Sequence, residues 1–140
     1  ICNGAVYSRK GEDSRIYKSF NVGRFICGIA DGHGGSAAAR LCREHISAME
    51  DMGEPRALFY ELHQKCLSLA CNSGASLTVC YVDKMHVQCA NVGDSHALVV
   101  TPTSHYWMSE SHRLQDNVRE RTRLTAHVSF ALGNGRSVGP

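Results

Sequence analysis

The spacing of apolar and polar positions divides the chain into segments of two different periods. Residues 24–30, Arg-Phe-Ile-Cys-Gly-Ile-Ala, form a strand-length apolar run that reads as a buried central strand ending at Asp31. From Ser36 the period changes. Ala38, Leu41, Cys42, Ile46, Met49 and Met52 recur at three- and four-residue steps, while Arg40, Arg43, Glu44 and Glu50 take the other face. This predicts a helix over 36–51, capped by Ser36 and ended by Gly53. Pro55 suits the first turn of a second helix over 55–71, with Leu58, Leu62, Cys66 and Leu69 on one face. Asn72-Ser73-Gly74 closes it.

Three strand-like runs follow, over 76–82, 86–92 and 96–101, separated by turns at Asp83-Lys84 and Gly93-Asp94. Connections this short require antiparallel neighbours. Residues 103–117 are polar around a lone Trp107, and a short basic helix is expected near 118–124, ahead of the apolar run 128–132. Residues 1–7 read as a first strand, and 8–15 as a charged, solvated loop. The expected fold is an α/β sandwich with an antiparallel meander across 76–101.

Composition narrows the class. At 140 residues, 43% hydrophobic and 20% charged, the chain is sized and composed as one globular domain over 1–140. A net charge of +2 gives no reason to expect nucleic acid or an anionic membrane as partner. The apolar runs are far shorter than the roughly 20 residues of a membrane span. The chain opens at Ile1 with no secretory leader pattern, which reads as an excised or processed domain. Seven cysteines include no C-x-x-C pair and fall mostly in apolar runs. They are expected as reduced core residues of an intracellular protein, cytoplasmic or nuclear. His45 and His63, without partners at metal spacing, read as partly buried structural residues.

The chemistry concentrates at Asp31-Gly32-His33-Gly34-Gly35, between the central strand and the first helix. Asp31 offers hard oxygen to Mg2+ or Mn2+, His33 is a proton donor two residues on, and the glycines let backbone approach a metal or phosphate. The bland alternative is a tight turn with Asp31 as a local cap. Upstream, Arg9, Glu12 and Asp13 supply two carboxylates and an arginine, the ingredients of a metal–phosphate site.

Taken in order, five segments resemble the motifs of the metal-dependent type 2C protein serine/threonine phosphatases. They are Glu12-Asp13, Asp31-Gly32-His33-Gly34-Gly35, Ser73-Gly74-Ala75-Ser76, the hairpin Ala90-Asn91-Val92-Gly93-Asp94-Ser95-His96-Ala97, and Ser129-Phe130-Ala131-Leu132-Gly133-Asn134. The resemblance implies an α-β-β-α fold, two antiparallel sheets flanked by helices. It also implies a site in which two Mg2+ or Mn2+ ions activate a water against phosphoserine or phosphothreonine. In that reading Asp31 bridges the metals and the Gly32 carbonyl binds one. Glu12 and Asp13 hold metal-bound waters, and His33 protonates the leaving group.

The departures are specific. Ser8 stands where the family has a phosphate-gripping arginine, with Arg9 one residue off. Ser111-His112 replaces an Asp-His pair, and Asn134 replaces an aspartate. The family's two later motifs, which supply direct metal-binding aspartates, have no counterpart in the 140 residues. The expectation is a phosphatase-fold domain of impaired catalysis, binding one ion weakly at most and acting as a regulatory or protein-binding module toward a phosphoprotein or other protein. The alternative is an active serine/threonine phosphatase.

Overall fold

The computed structural model describes residues 8–69, 71–103 and 106–131. The expected first strand over 1–7 and the Gly133-Asn134 segment lie outside the described residues. Among them the elements run β1 (Ser14–Asn21), β2 (Arg24–His33), α1 (Ala37–Ala48), α2 (Pro55–Leu67), β3 (Gly74–Val82), β4 (Val87–Val92), β5 (Leu98–Val100), β6 (Tyr106–Met108) and α3 (Val118–Ala131). The fold is mixed α/β, with antiparallel sheets and flanking helices.

Strands β1-β2-β3-β4 form one antiparallel sheet in that order, and β5 pairs with β6 in a second. Helix α1 packs across β1, β2 and β3, with α2 against α1. The core follows from two periodicities meeting. Alternate residues of the strands (Ile16, Ile26, Ala30, Leu77, Val79, Tyr81) face the α1 stripe of Ala39, Cys42 and Ile46, and Leu58 and Leu62 of α2 close it. Ile16, Ile26, Ile46 and Val79 are the largest fully buried side chains. The opposite face of the sheet carries the odd-numbered residues of β2, ending in Asp31 and His33.

Several expectations are corrected. The segment read as a charged loop becomes strand from Ser14, because Ile16 and Phe20 alternate with outward polar residues across the register Ser14↔Ala30 to Ser19↔Phe25. Both long helices stop earlier than their apolar spacing suggests, at Ala48 and Leu67. Gly53 does not end α1; it sits five residues on, in a turn where its N–H donates to Asp51 Oδ1 at 2.9 Å. Ser36 makes no side-chain cap to α1. The third strand of the meander leaves the sheet: Leu98–Val100 pairs with Tyr106–Met108, a strand hidden in the polar 103–117 stretch. Helix α3 runs through 128–131 rather than stopping at 124, and Asn117 Oδ1 caps it by accepting the Glu120 N–H at 3.0 Å.

The burial of the cysteines also differs from expectation. Of those described, only Cys42 is buried; Cys27, Cys66, Cys80 and Cys89 are half-buried, Cys71 is exposed, and all are reduced thiols. His63 is exposed, while His45 is half-buried and lies 3.3 Å from Glu61 Oε2. Among the described residues no helix is long and apolar enough to cross a membrane.

Candidate metal–phosphate site

The site lies where the strand register runs out. In the β1–β2 pairing the residue numbers step in opposite directions from Ser14↔Ala30, so the next position sets Asp13 beside Asp31 and then Glu12 beside Gly32. In the β2–β3 pairing Asp31 lies opposite Ser76, and His33 opposite Gly74. Beyond Leu77↔Val92 the β3–β4 pairing leads Ser76 to Gly93. Asp13, Asp31, Ser76 and Gly93 therefore read as one row across the sheet end. Two close approaches make that row possible. A Cβ at Gly32 would overlap the Glu12 carbonyl oxygen, and one at Gly93 would overlap the Ser76 side chain.

Asp13 and Asp31 face one another within hydrogen-bonding reach, and their environments push them apart. Asp13 is held below the ordinary carboxylate range by a hydrogen bond with Ser8, aided by Asp31 and the Gly32 backbone. Asp31 is raised by partial burial, by Asp13, and by the charges of Asp94 and Glu12. Like charges gathered at one place favour a bound cation or a retained proton.

Glu12 is engaged structurally. Its Oε1 accepts the Gly35 N–H at 2.8 Å, tying the loop before β1 to the turn before α1. Ser73 completes that turn, donating to the Gly35 carbonyl at 2.8 Å and accepting the Ala38 N–H at 3.2 Å. Ser95 anchors the Asp94 turn through Ser76 Oγ and Thr78 Oγ1, both at 2.9 Å. His33 is exposed, on the same face as Asp31. Arg9 is exposed in the irregular segment that precedes Glu12 and Asp13.

Sequence reasoning missed two members. Ser8, noted only as a missing arginine, is the hydroxyl partner of Asp13. Asp94, read from the sequence only as a turn residue, is near enough to raise Asp31. The usable signal for Asp94 was strand β4, whose register against β3 brings Gly93, beside Asp94, to Ser76 at the sheet end. Ser111, in place of a family aspartate, uses its Oγ to accept the Arg113 N–H at 3.1 Å, while the His112 N–H donates to the Gly93 carbonyl at 2.9 Å.

The donor set suits a hard divalent ion in chemistry and in sign, since every side-chain donor is a carboxylate oxygen. Its geometry is looser. Among the described residues no three His, Cys, Asp or Glu side chains converge as a ligand cluster. The carboxylates stand close enough to repel without surrounding one point.

Comparison with known proteins agrees with this architecture. Residues 7–139 match the family described as Protein phosphatase 2C. A protein named "Probable protein phosphatase 2C 15" from Arabidopsis thaliana is 33% identical over 97% of this chain and 38% of its own length. Another from that plant, "Probable protein phosphatase 2C 12", is 31% identical over 95% of this chain, again 38% of its own length. The chain thus spans well under half of these relatives. The crystal structure of a bacterial serine phosphatase superposes with a TM-score of 0.58 at 17% identity, over 86% of this chain and 57% of that one, which shows the shared fold. With its sheet, its Asp13–Asp31 row and a match over nearly its whole length, the chain belongs to the protein phosphatase 2C family.

Proposed function

We propose that this chain is a phosphatase-fold domain of impaired catalysis that works by binding a phosphoprotein or another protein partner. Its own residues form a single, weak site for Mg2+ or Mn2+. The observation that carries this reading is the Asp13–Asp31 pair, two carboxylates in contact whose neighbours Asp94 and Glu12 add negative charge without converging on one point. A hard ion prefers about six oxygens, and this site supplies only part of that shell. Asp31 and Asp13 would hold the ion directly, with the Gly32 carbonyl beside them, and Glu12 would act chiefly by fixing Gly35. When bound, the ion supplies charge neutralisation to phosphoryl oxygens and a more acidic water. His33, on the Asp31 face, would hand a proton to a departing alkoxide, and Arg9 would be the cation offered to a phosphate.

A second reading, an active Mg2+- or Mn2+-dependent serine/threonine phosphatase, is favoured by the retained Asp13–Asp31 pair and by relatives named as probable protein phosphatases. It requires carboxylates from beyond the described residues.

Turnover separates the two readings. The 140-residue chain is expected to hydrolyse p-nitrophenyl phosphate and a phosphothreonine peptide with Mn2+ no faster than its Asp31→Ala variant. Each missing charge-stabilising donor costs roughly 10²–10³ in rate. A wild-type rate well above that control would replace the binding reading with the phosphatase reading.

A further inference from the structure

The outer face of the four-stranded sheet carries a row of thiols away from the acidic row. Cys27 of β2 pairs with Cys80 of β3, and Cys80 pairs with Cys89 of β4, so all three project to the same side. Cys80 Sγ and Cys89 Sγ are 3.0 Å apart, and all three are half-buried, reduced thiols. We propose that Cys80 and Cys89 are a reversible thiol–disulfide pair, a modification site oxidised by a small disulfide such as oxidised glutathione.

The geometry needs little adjustment. Residues directly opposite in an antiparallel pair have Cα atoms about 4.5–5.5 Å apart, inside the roughly 4.4–6.8 Å that a disulfide spans. The sulfurs must close by about 1 Å to reach a bonding distance of about 2.05 Å, a small side-chain rotation. Strand β4 is at the sheet edge, so Cys89 is approached from the side, while Cys80 sits between two thiols. Hydrogen bonding with Cys27, burial and the Cys89 thiol push Cys80 upward, which suits it to wait protonated as the second thiol. The other close pair, Cys42 with Cys66, is less accessible. Cys42 lies in the core, and burial, with Cys66 beside it, pushes its thiol up to about 12.

The step balances. Cys89 thiolate attacks one sulfur of glutathione disulfide, forming a mixed disulfide and releasing one glutathione thiolate, which takes up a proton. Cys80 then gives up its proton and attacks Cys89 Sγ, releasing the second glutathione. Two protein thiols are oxidised and one glutathione disulfide is reduced to two thiols.

The test is linkage mapping in the folded 140-residue chain, equilibrated with glutathione mixtures, acid-quenched, alkylated and digested with trypsin. Peptide 66–84, which carries Cys80, is expected to be joined to peptide 85–113, which carries Cys89, with fragmentation assigning the bond to Cys80 rather than Cys66 or Cys71. Dithiothreitol should reverse the bond and Cys27→Ser should leave it intact, while Cys80→Ser should leave Cys89 as a glutathione mixed disulfide. The yield should exceed that in urea by roughly tenfold or more, because the fold holds the thiols together. A Cys27–Cys80 bond in its place would overturn the proposal. So would a Cys89 that stays alkylated while the exposed Cys71 is glutathionylated, or an equal yield in urea.

Discussion

Asp31 concentrates the tension between stability and chemistry at this site. Partial burial and the neighbouring carboxylates of Asp13, Asp94 and Glu12 raise its folded-state pKa. Between the ordinary value of 3.8 and that raised value, the native chain holds a proton that the unfolded chain has released. The stability linked to Asp31 is therefore complete below 3.8 and is lost as pH rises through its folded pKa. At neutral pH Asp31 is a liability in the metal-free chain. Asp31→Asn should raise the thermal midpoint at pH 7 and flatten this part of the stability profile. Discounted for solvent screening at an exposed group, the gain is about 0.5 kcal/mol. Thermal melts of the two proteins from pH 4 to 7 check both the size and the direction.

At the scale of elements, the sequence was most legible where one period dominates. The α1 stripe of Ala38, Cys42 and Ile46 and the run in β2 are read directly, because each packs one face against the core. Strand β1 was obscured by Arg15 and Lys18, charges on an otherwise alternating segment; the alternation was the usable signal. The start of α1 was misread because its cap comes from far along the chain. Ser73, 35 residues from Ala38, accepts the N–H that Ser36 leaves alone. Local sequence carries no trace of a non-local cap. Ser73→Ala should lose about 1–2 kcal/mol, since it removes a cap and a hydrogen bond to the Gly35 carbonyl, read as a lower urea midpoint with unchanged slope. Strand β3 offers the reverse case. Among the described residues the Tyr81 hydroxyl is a buried polar atom without a hydrogen-bond partner, and burial, with Glu54 nearby, pushes it up to about 12. Tyr81→Phe keeps the ring and should stabilise the chain by about 1 kcal/mol in the same titration.

For the whole molecule, the sheet has two faces with different duties. Helices α1 and α2 cover one and make the core, while the other carries the acidic row at its end and the thiol row further along. Asp31 and Asp13 were legible as site residues because the motif falls on the last residues of β2, which runs on through Asp31 to His33 rather than ending at Asp31. Asp94 and Ser8 were not, because their places depend on register and on loop closure between distant segments. The proposed function rests on this face providing one incomplete, carboxylate-built cation site. Calorimetric titration with Mn2+ at pH 7 tests it most directly. One site is expected, with a dissociation constant on the order of 10⁻³ M, abolished by Asp31→Ala and weakened by Asp13→Ala. Two tight sites, or binding untouched by Asp31→Ala, would contradict it.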